Sequence, residues 1–367
     1  MPRYTNLAHS LPASVPFIGP EAQERQQGAP FIARIGANEN SFGPSPKALK
    51  AMANALTETW MYGDPESHDL RQALAHHHTV NPENIMIGEG IDALLGYLTR
   101  LIIAPGDAVV TSAGAYPTFN YHVAGYGGEL ITVPYKNNHE DPDALIDCAL
   151  KANAKLIYLA NPDNPMGTWH SADVIADMIR RVPSDCLLIL DEAYIEFAPA
   201  CTAPPLDPTQ TNVIRMRTFS KAYAMAGARV GYAIGHPDLI TAFNKVRNHF
   251  GMCRISQAGA LAALGDAKHL ADTVQNVAKS RQRIAKIGAA NGLTALPSAA
   301  NFVALDCGRD GPYAKSVLDA LVAQGVFVRM PFAAPQNRYI RISAGTTIDL
   351  DALENALPVA LARANQF

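Results

Sequence analysis

The sequence lacks most of the features that would place it among nucleic-acid, membrane or secreted proteins. Its 30 basic and 33 acidic residues give a net charge of −3, and no lysine- or arginine-rich block stands out. That argues against a nucleic-acid partner. The five cysteines, Cys148, Cys186, Cys201, Cys253 and Cys307, are scattered, with no CxxC pair and no metal-ligand spacing. They read as buried thiols of a reducing cytoplasm, with neither a disulfide frame nor a metal site. No apolar run suits a bilayer: the most apolar helix-like stretch, Ile91 to Ile103, is short and carries Asp92 and Arg100. Arg3 is not followed by a continuous apolar segment, so no signal peptide is read and a cytoplasmic location is expected. The triple His76-His77-His78 is no metal site either, because consecutive residues leave a helix in different directions. A solvated helix end is expected there. The GxGxxG dinucleotide fingerprint is missing, since after Gly88 and Gly90 the next glycine comes only at Gly96. No internal repeat occurs, and low complexity is confined to Pro204 to Pro208.

What is present is the balance of an ordinary globular protein: 367 residues, 48% hydrophobic and 17% charged, enough for two closely packed domains. Residues 1–30 hold five prolines and little periodicity, so an extended arm is expected, packing on a partner subunit. A turn-rich loop, Ala37 to Pro46, opens a helix continuing from Ala48 to Leu56, with Pro46 suited to its first turn. Met61-Tyr62-Gly63-Asp64-Pro65 breaks it, and a second helix follows from about Glu66 to His77. From Ile85 the pattern is α/β. Buried strands at Ile85 to Ile87, Ala108 to Ser112, Lys155 to Ala160, Cys186 to Leu190 and Val213 to Arg217 run between helices and turns. One such helix is capped by Ser171 and carries Val174, Ile175, Met178 and Ile179 on one apolar face. Cys186 to Leu190 is wholly apolar, as in a sheet covered on both sides. After Gly235 come helices at Pro237 to Arg247 and from Ser256 through Lys286. Strands at Ala300 to Leu305, Val326 to Arg329 and Tyr339 to Ser343, with helices at Tyr313 to Gln324 and Leu350 to Ala364, make a smaller α+β unit. The expected division is residues 1–46 as arm and part of the small domain, 47–255 as the large domain, and 256–367 as the C-terminal small domain.

The chemistry gathers at strand ends. Asn161, Asp191, Tyr194, Ser220 and Lys221 all follow closely on the C-terminal ends of strands, the edge where open α/β sheets bind ligands. Lys221 lies between two core segments, and long cations are rarely buried there without a task. A solvated Ser-Lys-Ala turn is the alternative on composition alone. A desolvated lysine of lowered pKa forms Schiff bases. Ser220 beside it and Arg229 after it suit a phosphate. The Gly88-Glu89-Gly90 turn before a helix is a further anion cradle, through free N–H groups and the helix dipole. Lysine, aldehyde and phosphate together point to pyridoxal 5'-phosphate (PLP). For that cofactor Lys221 is the Schiff-base lysine and proton carrier, and Asp191 pairs with the ring nitrogen. Asn161 and Tyr194 bond the ring oxygen. Ser220, Arg229 and the N–H groups around Gly90, Ile91 and Asp92 hold the phosphate, and Tyr116 stacks on the ring.

The ordered motifs carry a family resemblance over nearly the whole chain. They are Asn38-Glu39-Asn40 with Gly43-Pro44-Ser45-Pro46, Tyr62 with Asp64-Pro65, and Gly88-Glu89-Gly90-Ile91-Asp92. Asn161-Pro162-Asp163-Asn164-Pro165 with Gly167, Asp191-Glu192-Ala193-Tyr194, Ser220-Lys221 with Arg229, and Arg341-Ile342 with Gly345-Thr346 complete them. The chain resembles the PLP-dependent fold type I aminotransferases, and among them the histidinol-phosphate aminotransferase family. The resemblance implies an α/β fold with a three-layer large domain around a mainly parallel sheet. It implies a homodimer with shared active sites, in which Tyr62 reaches the partner's phosphate. Small-molecule amino-acid and oxo-acid or carbonyl substrates follow, with Arg341 on the α-carboxylate, Arg329 on a second anionic group and Asn40 among the substrate-binding residues. The chain departs from the family pattern at Ala93 (usually Glu), Met166 (usually Thr), Gly114 (often Pro) and Phe17, where a tyrosine commonly helps to recognise the substrate phosphate. The expected reaction moves an amino group between glutamate and a carbonyl compound; other functions on the scaffold are a decarboxylase of the threonine-phosphate type, a transaminase for another (aromatic or other) amino acid, and a PLP-binding sensor domain. A Ser-Lys hydrolase does not fit, because Ser220 and Lys221 are adjacent rather than in SxxK spacing. No basic helix-turn-helix precedes the fold, which disfavours the sensor.

Overall fold

A computed structural model of the chain describes residues 2–13 and 18–366; Phe17 falls outside them. Its strands are β1 (Ala33–Arg34), β2 (Ile85–Gly88), β3 (Ala108–Ser112), β4 (Glu129–Val133), β5 (Leu156–Ala160) and β6 (Leu187–Asp191). They continue as β7 (Val213–Thr218), β8 (Gly231–Gly235), β9 (Thr294–Ala295), β10 (Phe302–Asp306), β11 (Val326–Phe327) and β12 (Tyr339–Ser343). Seven of them form one sheet in the order β2-β8-β7-β6-β5-β3-β4. Strands β3 to β7 are parallel, while β8 runs antiparallel to both β7 and β2.

The centre of this sheet is covered on both faces, which is why β5 and β6 are buried at every position. Alternation then divides each strand. Leu156 and Tyr158 pack with Leu94, Leu95 and Leu98 of the helix Gly90–Ile102 and with Phe119 of the helix Pro117–Gly125. Ile157 and Leu159 face the other way, onto Leu145, Ile146 and Ala149 of the helix Pro142–Ala152 and Ile175, Met178 and Ile179 of the helix Ala172–Arg181. Val174, expected on that apolar face, is exposed. A separate core joins Val303, Leu305, Ile340 and Ile342 of the antiparallel pair β10–β12 to Val317 and Leu321 of the helix Gly311–Val322 and Leu353 and Leu357 of the helix Thr347–Ala364. The short β1 adds to it by pairing with β11.

Several expectations change. The arm is not extended throughout: Pro20–Gln27 is a helix that starts on a proline and ends at Gly28, whose φ of 72° is a left-handed stop. The long helix from Ser256 is two helices, Arg254–Leu264 and Ala267–Ala290. Asp266 lies between them and accepts hydrogen bonds from Ser45 Oγ at 2.6 Å and Lys47 Nζ at 3.3 Å. Cys201 and Cys253 are exposed rather than buried. The helix end His76 to His78 is not wholly solvated, because His78 turns inward and shares a 2.9 Å hydrogen bond with Tyr232 Oη. Among the described residues, no helix is long and apolar enough to cross a membrane.

Candidate active site

The parallel strands end at a cavity of about 720 Å³, closed on its far side by Arg329 to Phe332 and Arg341 from the smaller layer. β6 delivers Asp191 to its floor and β7 delivers Thr218, after which the chain loops through Ser220, Lys221 and Arg229 before returning as β8. The return passes close under the helix Gly90–Ile102. A Cβ on Gly231 would lie 2.7 Å from Gly90 C and Ile91 N. Gly90 has φ +82°, and a Cβ there would lie 2.4 Å from Arg229 Nη2. Glycine is therefore required where guanidinium and helix N-terminus converge.

Lys221 is held at both ends by one segment from across the cavity. Its Nζ donates to Asn38 O at 3.2 Å, and its main-chain oxygen accepts from Asn40 Nδ2 at 2.9 Å. Asn38 is fixed in turn by Ser343, whose Oγ accepts from Asn38 N at 2.9 Å and donates to Asn38 Oδ1 at 3.0 Å. Burial, and then the charge of Arg341, pull the Lys221 amine down to about 8. Asp191 is buried and accepts from Tyr158 Oη at 2.6 Å and Ala193 N at 2.9 Å. Burial raises it to about 6 against those two donors. Tyr194 Oη accepts from Asn38 Nδ2 at 3.1 Å, and the Lys221 ammonium lies 5.6 Å from the ring centroid.

At one end, Arg229 Nη1 donates to Ser220 Oγ at 3.4 Å, and Nη2 to Asp92 Oδ2 at 3.3 Å. Thr218 Oγ1 donates to Ser220 Oγ at 2.9 Å, and Tyr116 Oη to Asp92 Oδ1 at 2.9 Å. At the other end, Arg341 donates to Asn164 Oδ1 and, at 3.1 Å, to Gly36 O, while its buried Nε has no partner. Arg329 bridges to Arg341 through the backbone, and its Nη2 donates to Ile18 O at 2.6 Å. Burial pulls the Arg341 guanidinium down to about 10.

Of the residues singled out from sequence, Ile91, Asp92, Tyr116, Asp191, Tyr194, Ser220, Lys221, Arg229, Arg329 and Arg341 line this cavity. Asn161 does not. Its Nδ2 donates to His170 O and Thr202 O, both at 3.2 Å, and its Oδ1 accepts from His170 N at 2.8 Å, so the amide is consumed in securing the turn. Asn164, three residues on, lines the cavity instead. Asn40 is likewise spent on the backbones of Lys221 and Phe42. Tyr62 is 77% exposed, packs at a tilt against Phe250 with ring centroids 4.8 Å apart, and lies outside the cavity of its own chain. Sequence reasoning missed Asn38, Thr218 and Tyr158. Thr218, a hydroxyl at a strand's end two residues before Ser220, carried a usable signal; Tyr158, within a buried strand, carried none.

These groups fit PLP. A phosphate would meet the Arg229 guanidinium, two hydroxyls and a helix N-terminus in a cradle that a Cβ on Gly90 would fill. A protonated pyridine would give buried Asp191 the cationic partner that its hydroxyl and N–H donors do not supply.

Comparison with known proteins agrees with the fold and with the cofactor. A family model described as aminotransferase class I and II matches residues 32–357. A histidinol-phosphate aminotransferase of Anaeromyxobacter sp. (strain Fw109-5) is 37% identical over 334 residues, 90% of this chain and 91% of that protein. The solved structure of histidinol-phosphate aminotransferase from Sinorhizobium meliloti, in complex with pyridoxal-5'-phosphate, superposes with TM-score 0.96 at 52% identity, over 99% of this chain and 98% of that one. Aspartate aminotransferase from Thermus thermophilus, solved with maleate, shares the fold at TM-score 0.81 and 22% identity, over 98% of this chain and 100% of that one. The fold type I architecture expected from the motifs is thus the one found, and the chain belongs to the class I and II aminotransferase family.

Proposed function

We propose that this aminotransferase uses PLP to exchange an amino group between glutamate and the carbonyl partner of histidinol phosphate. The observation that carries the reading is the pair of guanidinium groups, Arg341 and Arg329, joined across a β-bridge and lining one cavity with a buried lysine. One suits a carboxylate and the other a second anion such as a phosphate. Glu39 lines the same cavity and offers a carboxylate to a basic imidazole. The names of the relatives support the same substrate.

When bound, PLP supplies an aldehyde that exchanges with amines and a ring that draws electrons from the substrate α-carbon. Arg229, Ser220, Thr218 and the N–H groups opening the helix Gly90–Ile102 would hold its phosphate. Tyr194 and Asn164 would bond its ring oxygen, Tyr116 would lie on its face, and Asp191 would hold positive charge at its nitrogen. Lys221, with an amine near 8, is a base of suitable strength to take the α-carbon proton and return it on the other side of the exchange. Arg341 would fix the carboxylate so that this proton stays within reach of Lys221.

The test is to incubate the loaded enzyme with histidinol phosphate and 2-oxoglutarate and to assay glutamate. Glutamate formation is expected. Carbon dioxide release from threonine phosphate without glutamate formation would establish the decarboxylase instead.

We infer that the enzyme is a homodimer with shared sites. Exposed Tyr62, Phe250, Trp60 and Leu56 offer an apolar surface, and Tyr62 is outside its own cavity. Mixing inactive Lys221→Ala subunits with Tyr62→Ala subunits should restore activity, because one hybrid site then has both residues. No gain over the separate variants refutes sharing.

A further inference from the structure

Beneath the turn that carries Asn164 lies a second acidic centre with no place in the reaction described above. Glu140 and Asp163 are each 2% exposed. Glu140 Oε2 accepts from Ser112 Oγ at 2.5 Å, and Oε1 from Ala160 N at 2.9 Å. Asp163 Oδ1 accepts from Tyr135 Oη at 2.9 Å, and Oδ2 from Met166 N at 2.9 Å. The donors to the four carboxyl oxygens are therefore hydroxyls and main-chain N–H groups, and none is a cation. The two carboxyls belong to one cluster, because Glu140 bonds the main chain at Ala160, three residues before Asp163, and the negative charge of Asp163 raises Glu140. Two ionised carboxylates buried in one cluster, with no cation bonded to either, are strongly disfavoured at neutral pH.

We propose that Glu140 and Asp163 share one proton, and that this carboxyl–carboxylate clamp is a positioning device that holds Asn164 against Arg341. Asp163 is the hub of the turn. Its N–H donates to Thr168 O at 2.8 Å, and its carbonyl accepts from Gly167 N at 3.1 Å. Asn164 is its neighbour in sequence and accepts from Arg341. Glu140 reaches the same point through the ends of β3 and β5, at Ser112 and Ala160. Its own carbonyl accepts from His170 Nε2 at 2.8 Å, so the clamp ties two strand ends and His170 to one turn.

The surrounding charges agree. Burial first, and Asp163 second, push the Glu140 carboxyl well above its ordinary range. Burial likewise raises Asp163, against the pull of its donors and of Arg341. Asp191 adds negative charge from β6, Tyr135 contributes a phenol, and His139 lies beside His170. The proposed clamp thus has its proton on Glu140, the carboxyl that Asp163 raises, and directs it toward Asp163. Between the ordinary carboxyl range and the raised one, the folded chain holds a proton that the unfolded chain has released, so stability falls as pH rises through that window.

The positioning half rests on the reading of Arg341 as a carboxylate anchor; the proton-sharing half does not. The experiment uses the full-length, cofactor-loaded protein as wild type, Glu140→Gln, Glu140→Ala, Asp163→Asn, Asp163→Ala and Arg341→Ala. Glutamine keeps a donor toward Asp163 but has no titrating proton. The infrared difference between wild type and Glu140→Gln should contain a protonated-carboxyl band at neutral pH. Relative to wild type, Glu140→Gln should lose the share of stability that declines as pH rises above the ordinary carboxyl range. Maleate, an unreactive dicarboxylate, should bind Glu140→Ala about tenfold more weakly or worse, with affinity restored in Glu140→Gln. If neither Glu140→Gln nor Asp163→Asn removes a carboxyl band, the shared proton is overturned. Wild-type maleate affinity in Glu140→Ala overturns the positioning. If Glu140→Ala does not fold, wild-type maleate affinity in Asp163→Ala has the same force. Undiminished maleate binding by Arg341→Ala would instead sink the anchor reading and leave the infrared result to judge the pair.

Discussion

Arg341 and Asn164 meet across the cavity, the guanidinium of β12 donating to the amide oxygen of the turn after β5. The contact joins the smaller layer to the sheet and leaves Arg341 Nε buried without a partner. An unpaired buried donor costs about 1–3 kcal/mol, so the site is poised to gain from an incoming anion. Arg341→Ala should slow the glutamate half-reaction by roughly two to four orders of magnitude, as losing one partner of a buried charged pair at about 3–5 kcal/mol implies. Arg341→Lys should recover only part, because an ammonium lacks the fork. Single-turnover kinetics measure both. A slowing below about tenfold would move the anchor to Arg329.

Lys221→Ala should abolish turnover while leaving a folded protein that still retains cofactor through Arg229, Ser220 and Asp191. Absorbance of the isolated protein reports retention, and the coupled glutamate assay reports turnover. Near-normal turnover would rule out Lys221 as the base.

Asp191→Asn should leave bound cofactor with a much weaker pull on the α-carbon, slowing the half-reaction by several orders of magnitude. A change of less than about tenfold, or about 1.4 kcal/mol, would show that Asp191 does not partner the ring.

The two asparagines of the turn should separate cleanly. Asn161→Ala removes the amide that bonds His170 and Thr202, and should cost about 1–3 kcal/mol of stability with little change in the cofactor spectrum. Asn164→Ala should do the reverse, altering the spectrum and the glutamate KM more than the melting temperature. The opposite pattern would return the ring contact to Asn161.

His78 predicts an acid limb. Burial, with Arg217 nearby, lowers it from 6.5 to about 3, so it folds neutral. A histidine with a depressed native pKa lets the unfolded chain bind the extra proton, so stability falls as pH drops below 6.5. His78→Gln, which can still bond Tyr232, should flatten the melting profile between about pH 4 and 6.5. An unchanged profile would assign the limb to other groups.

The sequence carried the sheet because β5 and β6 are apolar runs and β7 alternates apolar residues with Arg215 and Arg217, each ended by turn residues, and their ends delivered Asp191, Ser220 and Lys221 directly. It hid the edge strand β4, half exposed and too weakly patterned to stand out. It hid Asn164 because Asn161-Pro162 and Asn164-Pro165 are equivalent as text. Only the folded turn shows which amide is consumed by backbone. Tyr158 was invisible for a related reason, since a buried tyrosine within a strand reads as core until its hydroxyl is seen on Asp191.

The tethering of Lys221 by Asn38 also dictates when the site comes into being. Asn38 is set by Ser343, 305 positions away in the chain. A ribosome making this protein must therefore complete β12 before the lysine's amine can find its place. Contacts of such long sequence separation form late in folding. A nascent or truncated chain can hold its central sheet and still present an ordinary lysine, so reactivity toward aldehydes should arrive only with the finished fold.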